Sequence, residues 1–264
     1  MIYASNFFES KIAGLLLGGA GISAPSTLYV ALFASNPGES GTEGTEISYT
    51  GYERMPVTFT GPTQSASGLS MQNESAITFA ESPSSTNPVK YVGIFDESNN
   101  MWLYGELTTQ LMIQSGVSPV FQPEALKWTF SGSLSDYYRR KIMNVLIARD
   151  DVSAFSPYLA LFNGNPNNTG LELQGTNYAR MAIAFQVSEV QPASGALQYE
   201  NDSEIVSPTA GPGGWGTLTN IGIMDSEVGG NVFAVMSLRN NATYSITYGD
   251  VIGFHAGDLT FSIN

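Results

Sequence analysis

The chain contains nearly the same strand and turn twice. "YVALFASNP" occupies residues 29–37 and "YLALFNGNP" occupies residues 158–166, 129 positions later in a chain of 264 residues. Half of the chain is an ordinary domain size and is long enough to bury a core of its own. The repeat therefore predicts one fold used twice, with a first domain at residues 1–132 and a second at residues 133–264.

Each half begins with a predicted helix. Ser5 and Ser135 precede segments whose apolar residues recur at helical spacing, so both serines are candidate N-caps. The apolar stripe consists of Phe8, Ile12, Leu15 and Leu16 in the first half and of Tyr138, Ile142, Val145 and Leu146 in the second. The glycine pair at 18–19 predicts the end of the first helix.

The rest of each half predicts antiparallel strands. An apolar strand ends at Asn-Pro, at 36–37 and at 165–166, and a long polar loop follows it. The alternating segments "MPVTF" and "MAIAF" each predict one strand with one buried face, formed by Met55, Val57 and Phe59 and by Met181, Ile183 and Phe185. A middle strand, a hairpin with an Asp-containing turn and a closing strand complete each half. The closing strands match through Leu126, Trp128 and Phe130 and through Leu259, Phe261 and Ile263.

The predicted fold is mainly β. It consists of two tandem antiparallel β-sandwich-like domains, each with one N-terminal helix. The boundary lies within "FSGSLSD" at residues 130–136, a linker short enough to fix the relative orientation of the domains. The alternative is a single continuous sheet shared by both halves.

The sequence offers little for catalysis. It has no cysteine, which excludes disulfides, thiolate nucleophiles and cysteine-based metal sites. Its one histidine, His255, corresponds to Gln122 in the first half, and no G-x-S-x-G motif is present. We therefore expect no catalytic, cofactor-binding or metal-ligating residue and interpret His255 as an ordinary strand residue.

Acidic and glycine-rich turns are the next candidate sites. The pairs Asp96-Glu97 and Asp225/Glu227 could serve a glycosidase only across a cleft, and acidic residues favour turns in any case. "DESNN" at 96–100 lacks the glycine and terminal glutamate of an EF-hand. "AGPGGWGT" at 210–217 lacks the lysine and helix of a phosphate-binding loop, so we interpret it as a plain loop.

Tryptophans and sequons are the remaining candidates for glycan chemistry. Trp102, Trp128 and Trp215 could line a sugar platform, but scattered aromatic residues in a β protein more often belong to the core. Sequons at Asn73 and Asn241 stand in a chain without a recognisable secretion signal, so we interpret them as coincidences.

Charge argues against nucleic acid as a partner, and the lack of a long apolar stretch argues against a membrane span. The formal net charge is −13, whereas nucleic-acid binding needs clustered Lys and Arg. The one basic cluster, Arg139, Arg140, Lys141 and Arg149, is expected on the solvent side of the second helix. No stretch approaches the roughly 20 apolar residues that span a bilayer. "IAGLLLGGAGISA" is expected to be a helix and its exit loop.

The order of these motifs resembles a family of small tailed-bacteriophage virion proteins, often labelled tail-fibre, minor tail or head-decoration proteins. "PSTLYVALFASNP", "GYERMPVTF" and "VKYVGIFD" carry the resemblance in the first half. "YLALFNGNP", "NYARMAIAF", "GGWGTLTNIGIMD" and "FHAGDLTFSI" carry it in the second. The first half departs from the pattern because it lacks the Trp-Gly pair and closes with "FQPEALKWTF".

The resemblance implies a non-enzymatic structural protein on the exterior of a virion that is assembled in the host cytoplasm. It would serve as capsid decoration or cement, or as a tail or neck fibre-type accessory. Its partners would be the major capsid protein or tail and neck proteins. A homo-oligomer is expected, and a trimer of two-domain chains would satisfy six equivalent positions on a hexameric surface.

The alternative function is a carbohydrate-binding module or adhesin that recognises host-surface glycans. The sequence assigns no interface residue. Long loops usually carry function, so we expect the contacts at residues 34–51, 163–177 and 203–217.

Overall fold

A computed structural model describes residues 2–17, 19–65, 68–130, 134–188, 197–238 and 241–263. The described chain has two helices and is otherwise built from short strands. The first half contains β1 (Ile2–Ala4), α1 (Asn6–Leu16), β2 (Leu28–Phe33), β3 (Met55–Val57), β4 (Phe59–Ser65), β5 (Gly68–Asn73), β6 (Ile77–Thr78), β7 (Val89–Asp96), β8 (Met101–Leu111), β9 (Val120–Phe121) and β10 (Lys127–Phe130). The second contains α2 (Asp136–Ile147), β11 (Tyr158–Asn163), β12 (Leu171–Glu172), β13 (Met181–Ala182), β14 (Phe185–Val187), β15 (Leu197–Asn201), β16 (Ile205–Val206), β17 (Gly216–Leu218), β18 (Asn220–Met224), β19 (Val232–Ser237), β20 (Tyr244–Ile246), β21 (Gly253–Phe254) and β22 (Thr260–Ile263).

Both predicted N-caps are confirmed. The Ser5 hydroxyl accepts a hydrogen bond from the amide of Phe8 at 3.3 Å, and the Ser135 hydroxyl accepts one from Tyr138 at 3.2 Å. Each serine also donates to a hairpin carbonyl, Met101 for Ser5 and Val232 for Ser135. One side chain thus satisfies an orphan amide of its helix and fixes the helix to the sheet.

The two predicted apolar stripes are buried. Their eight residues, Phe8, Ile12, Leu15, Leu16, Tyr138, Ile142, Val145 and Leu146, are at most 2% exposed. The first helix ends at Leu16, ahead of the predicted glycine pair, of which residue 18 lies outside the described residues. The second helix ends without a glycine: Arg149 takes the left-handed conformation, and its guanidinium donates to the carbonyl of Leu146.

Each half has two principal sheets in which all pairings are antiparallel. In the first half a five-stranded sheet has the order β1-β8-β7-β2-β3, and a three-stranded sheet has the order β10-β5-β4. In the second half, the larger sheet has the order β12-β11-β18-β19, and β13 also pairs with β11. The smaller sheet of this half has the order β14-β15-β22. Among the described residues every sheet draws its strands from one half, so the alternative of one continuous sheet is wrong.

The alternating segments are not single strands, which corrects the sequence prediction. Met55–Val57 pairs with β2 in the larger sheet, whereas the strand that begins at Phe59 pairs with β5 in the smaller one. The second half repeats the change: β13 pairs with β11 and β14 with β15. The chain therefore crosses from one sheet to the other at residues 58 and 183–184, and the alternation of buried side chains continues through the crossing.

The first-half core forms where the helix meets both sheets. The ring of Phe8 lies 5.0 Å from that of Trp102 in the larger sheet and 5.9 Å from that of Trp128 in the smaller. Leu126, Trp128, Phe130 and Leu259 are buried, as the closing strands predict. The side chains of Phe261 and Ile263 lie outside what the structure describes. Within the described ranges, neither helix combines the length and apolar character that a membrane crossing requires.

Packing divides the chain into two compact units. One contains Met1–Ile12, Ile22–Ser131 and Lys141–Val152, and the other contains Ala13–Gly21, Gly132–Arg140 and Ser153–Asn264. Each unit holds the strands of one half, the start of that half's helix and the end of the other half's helix. The first unit includes reciprocal backbone hydrogen bonds between Ile22 and Val152, at 2.7 and 2.8 Å. Division of the chain at residue 132 stays a prediction.

Candidate functional site

A Glu–Tyr–Arg cluster organises the loop end of the first half. Tyr52 accepts a hydrogen bond from the amide of Leu32 at 2.9 Å and donates to Glu46 at 3.1 Å. Arg54 holds the same carboxylate with two nitrogens, Nε at 2.9 Å and Nη2 at 2.8 Å. The cluster fixes the end of the 34–51 loop against strand β2. Burial raises the pKa of Tyr52, so the phenol stays protonated and keeps donating.

The second half contains the same cluster. Tyr178 accepts from the amide of Leu161 at 3.1 Å and donates to Glu172 at 3.0 Å. Arg180 holds Glu172 through Nε at 2.8 Å and Nη2 at 2.7 Å. The shared "Y-x-R" motif of the two halves is therefore a structural clamp on a glutamate that lies six residues before the tyrosine.

The remaining arginine nitrogen distinguishes the two clamps. In the first half Arg54 Nη1 donates to Asn99 Oδ1 at 2.6 Å, in the turn between β7 and β8. In the second, Arg180 Nη1 donates to the carbonyls of Ser226 at 2.7 Å and Gly229 at 2.5 Å, in the turn between β18 and β19. The Arg180 side chain is 8% exposed and that of Arg54 is 27% exposed. The second clamp is thus more buried and binds the main chain of its hairpin.

Both hairpin aspartates are used as structural acceptors. Asp96 accepts from the amide of Asn100 at 2.8 Å and from the indole of Trp102 at 3.0 Å. Asp225 accepts from the amide of Asn231 at 2.6 Å and from the hydroxyl of Tyr138 at 2.8 Å. The second donor to Asp96 is Trp102 of strand β8, whereas the second donor to Asp225 is Tyr138 of helix α2. These carboxylates close turns, as their sequence context predicts.

His255 and Glu97 are the remaining candidates for catalysis. The His255 side chain is 83% exposed, at a turn beyond β21, with Nδ1 3.7 Å from the carboxylate of Glu204. Glu97 accepts from the amides of Ser26 and Thr27 at 3.2 and 3.3 Å. In the described part of the chain, no three His, Cys, Asp or Glu side chains gather as metal ligands would.

The tryptophans and the first sequon belong to the interior. Trp102, Trp128 and Trp215 are all buried, which confirms their interpretation as core residues. Asn73 is fully buried, so its side chain is inaccessible to glycosylation. The glycan-binding alternative therefore loses the exposed tryptophans on which it depended. The plain-loop prediction for 210–217 holds only for residues 210–215, because residues 216 and 217 belong to strand β17. In the loop part, the Gly211 amide and the Trp215 indole both donate to the carbonyl of Thr176, at 3.0 Å each.

A buried acid lies at the start of the first helix. Glu9 is 6% exposed, and its Oε2 has no hydrogen-bond partner among the described residues. Burial, and then the charge of Glu39, raise the pKa of Glu9 to about 7. The Asn6 amide donates to the carbonyl of Glu39 at 3.2 Å, so the 34–51 loop lies against this end of the helix.

The second half has a groove at the open end of its β18–β19 hairpin. The groove has a volume of about 740 Å³. The lining side chains at its base are apolar and include Leu218, Ile221 and Leu259, all buried. Tyr244 and Val251 form its rim and are about half exposed. This combination of a buried apolar base and an exposed rim is typical of a contact surface.

Of the three loops predicted to make contacts, all are held by specific hydrogen bonds. Ser35 accepts from the amide of Thr45 at 2.9 Å across the first loop. Thr219 accepts from the amide of Gly164 at 2.7 Å at the start of the second. In the third, the amide of Ser207 donates to the carbonyl of Ile252 at 2.8 Å. The adjacent Val206 is an exposed apolar residue of β16 and pairs with Gly253 of β21. Their role as contacts stays a prediction, and sequence reasoning missed the groove altogether.

Comparison with known proteins gives one family. A family model described as "Podophage GP4 fiber I protein gp80" matches residues 3–129 and again residues 133–262. No curated protein matches the chain. The two matches coincide with the two halves that the internal repeat predicts, and together they cover nearly the whole chain.

Proposed function

Because the chain belongs, twice over, to the podophage GP4 fiber I protein gp80 family, we propose that this virion structural protein is a fibre-type accessory of the phage tail or neck. The observation that carries the proposal is the double match to a family named for a fibre. The protein acts by contact with other virion proteins and without turnover of a substrate. The hairpin carboxylates Asp96 and Asp225 support this role, since each is used to close its own turn.

The proposed partners are neighbouring tail or neck proteins and further copies of the same chain, assembled in the host cytoplasm. Tandem domains suit such an assembly, because three chains present six similar domains to a ring. Decoration of the capsid is the competing location, and the experiment must separate the two.

Immunogold labelling of intact particles tests the proposal. Antibody raised against the purified chain is expected to place gold at the tail or neck, and mass spectrometry of purified virions is expected to find the chain. Gold spread over the capsid would replace the fibre role with decoration. Absence from virions by both methods would refute a structural role in the particle.

A further inference from the structure

The loop of residues 36–44, here called the cover loop, lies against the start of α1 and against strand β8. The amide of Asn6 donates to the carbonyl of Glu39 at 3.2 Å, which joins the loop to the first turn of the helix. Gly41 lies directly over Met101, because a Cβ at Gly41 would stand 3.1 Å from the Met101 Cβ and 3.2 Å from its sulfur. The cover loop therefore closes off both the Asn6 amide and the Met101 side chain.

Met101 belongs to an apolar cluster of the first unit. It is 2% exposed and packs with Ala31, Phe33 and Phe95, which are at most 3% exposed. Because Gly41 lies over Met101, displacement of the cover loop would open the Met101 sulfur to water. The position of the loop thus decides whether this part of the cluster is hidden.

Three carboxylates gather where the cover loop meets the helix. Glu9 of α1 is 6% exposed, and its Oε2 has no hydrogen-bond partner among the described residues. The negative charge of Glu39, on the cover loop, acts on it. The carboxylate of Glu43 lies against Gly38 of the same loop, with its carbon 2.5 Å from the place a Cβ would take. Glu9 therefore faces a loop of its own sign.

The other titratable groups near Glu9 do not neutralise it. Burial, and then the charges of the three carboxylates, raise the pKa of Tyr104 on β8 to about 12, so this phenol stays uncharged. Tyr3 of β1 adds a second phenol, with its ring 5.9 Å from that of Tyr104. Lys11, on the same helix, lies over the ring of Phe7 at 5.2 Å. In the described part of the chain, no basic side chain forms an ion pair with Glu9.

An ionised carboxylate in the position of Glu9 is costly. Burial without a hydrogen-bond partner disfavours the charged form, and the like charge of Glu39 disfavours it further. These two effects, in that order, raise the pKa of Glu9 to about 7. Glu9 can avoid the cost by keeping its proton, or the cover loop can move so that water reaches the carboxylate.

The second half has a different charge at the same helical position. Arg139 follows its N-cap by four residues, as Glu9 does, and its Nη2 lies 2.5 Å from the carboxylate of Asp136. The segment 165–171, which follows the first strand of this half as the cover loop does in the other, contains no acid. The like-charge contact is therefore a property of the first half alone.

We propose that the cover loop is a pH-dependent cover over Met101, closed while Glu9 is protonated and open when Glu9 and Glu39 are both ionised. Opening separates the two carboxylates, frees the Asn6 amide and exposes the Met101 sulfur. A neutral or alkaline medium therefore uncovers an apolar site that an acidic medium hides. This inference does not depend on where the protein lies in the virion.

Proton linkage sets the direction and size of the effect. Opening returns Glu9 to water and to its ordinary pKa of 4.5, so the closed loop binds the proton more tightly than the open loop does. The equilibrium constant for opening therefore rises as pH increases from 4.5 to about 7 and levels off above 7. Each unit of difference in pKa contributes about tenfold to this constant.

Oxidation of methionine by hydrogen peroxide tests the cover, since the peroxide transfers one oxygen atom to an accessible thioether and leaves water. The full-length chain is oxidised at pH 5 and at pH 8.5, and sulfoxide at each methionine is measured by peptide mass spectrometry. Met112, which is 52% exposed, corrects for the reagent. Met143 is fully buried in the same unit and reports unfolding of the unit as a whole.

The ratio of the Met101 rate to the Met143 rate is expected to rise at least about tenfold from pH 5 to pH 8.5, because only local opening exposes Met101 alone. Glu9→Gln should abolish the rise, and Glu74→Gln, at an exposed position, should keep it. A smaller rise in the natural chain, or an equal rise in Glu9→Gln, overturns the proposal.

A second measurement needs no variant. The protection factor of the Asn6 amide in hydrogen exchange, followed by NMR, already corrects for the intrinsic effect of pH on exchange. It should fall between pH 5 and pH 8.5 as the bond to Glu39 opens. A protection factor that stays constant over this range would refute the opening.

Discussion

Asn73 and Asn201 act at the scale of single side chains, and each ties the closing segment of its repeat to the core. The Asn73 amide donates to the carbonyls of Ser75 and Gln122, and its oxygen accepts from the amide of Leu126 at 2.8 Å. Asn201 makes the matching bonds to the carbonyl of His255 and the amide of Leu259. Both residues are fully buried, so no water can replace these partners.

Replacement of Asn73 by alanine should destabilise the protein strongly. Three hydrogen bonds are lost and their partners stay buried, so we expect the free energy of unfolding to fall by about 3 kcal/mol. Urea unfolding measures the change. Asn168→Ala, at an exposed loop position, is the control and should have little effect. Equal stability of the two variants would mean that the network contributes nothing.

Glu9 makes stability depend on pH. Its folded-state pKa of about 7 exceeds the ordinary 4.5, so the folded chain holds a proton that the unfolded chain has already lost. Stability therefore falls as pH rises from about 4.5 through 7, by about 3 kcal/mol for a pKa difference of this size. Glu9→Gln should match the natural chain at pH 4 and exceed it at pH 8 in urea unfolding.

The control for Glu9 is an exposed glutamate. Glu74→Gln should leave the pH dependence of unfolding as it is in the natural chain. If the Glu9→Gln curve instead ran parallel to that of the natural chain between pH 4 and pH 8, Glu9 would not be the titrating group.

At the scale of elements, the arginine clamps join a loop, a strand and a hairpin. Arg180 is the more buried of the two and binds two main-chain carbonyls of its turn, whereas Arg54 binds its turn through the Asn99 side chain. Loss of Arg180 would leave Glu172 without its counter-charge in a mostly buried position. The clamp in the second half should therefore contribute more to stability and to hairpin order.

Alanine substitution of each arginine separates these contributions. We expect Arg180→Ala to lower the free energy of unfolding by about 3–5 kcal/mol, because removing one member of a buried ion pair leaves the other charge buried and unpaired. Arg54→Ala should lower it by less. Hydrogen exchange should accelerate in residues 225–231 of the Arg180 variant. Protection of that turn equal to that of the natural chain would show that the clamp does not order it.

At this scale the sequence predicts the features that depend on residues close together in the chain. Ser5 and Ser135 cap helices three residues away, and Asp96 and Asp225 close turns four and six residues away, so local chemistry identifies them. The crossing between sheets is not predictable, because the buried alternation runs through it without a break. Two of the three partners of Asn73, Gln122 and Leu126, lie about fifty residues along the chain, and the groove combines residues from 218 to 260. Only the folded chain brings those residues together.

At the scale of the whole molecule, the two compact units do not coincide with two consecutive segments. The first unit includes Lys141–Val152, which contributes the buried residues Ile142 and Leu146. Asp151 of the same segment accepts from the amide of Ala24 at 2.8 Å. The strands of the first half are therefore completed by chain that follows the boundary predicted from the repeat.

Fragments test this composition. A fragment of residues 1–132 lacks the segment and should unfold at a temperature at least about 10 °C lower than a fragment of residues 1–152, or without a cooperative transition. Circular dichroism during heating measures both. Identical melting of the two fragments would show that the first unit is complete without residues 141–152.

The sharing of helix ends between units has an evolutionary consequence. Duplicated genes usually leave each copy free to be deleted, since the other retains the complete fold. Here deletion of either half would remove part of the unit that remains, so we expect the two halves to be retained as a pair. One half can then acquire new surface features while the other keeps the contacts that the shared units require.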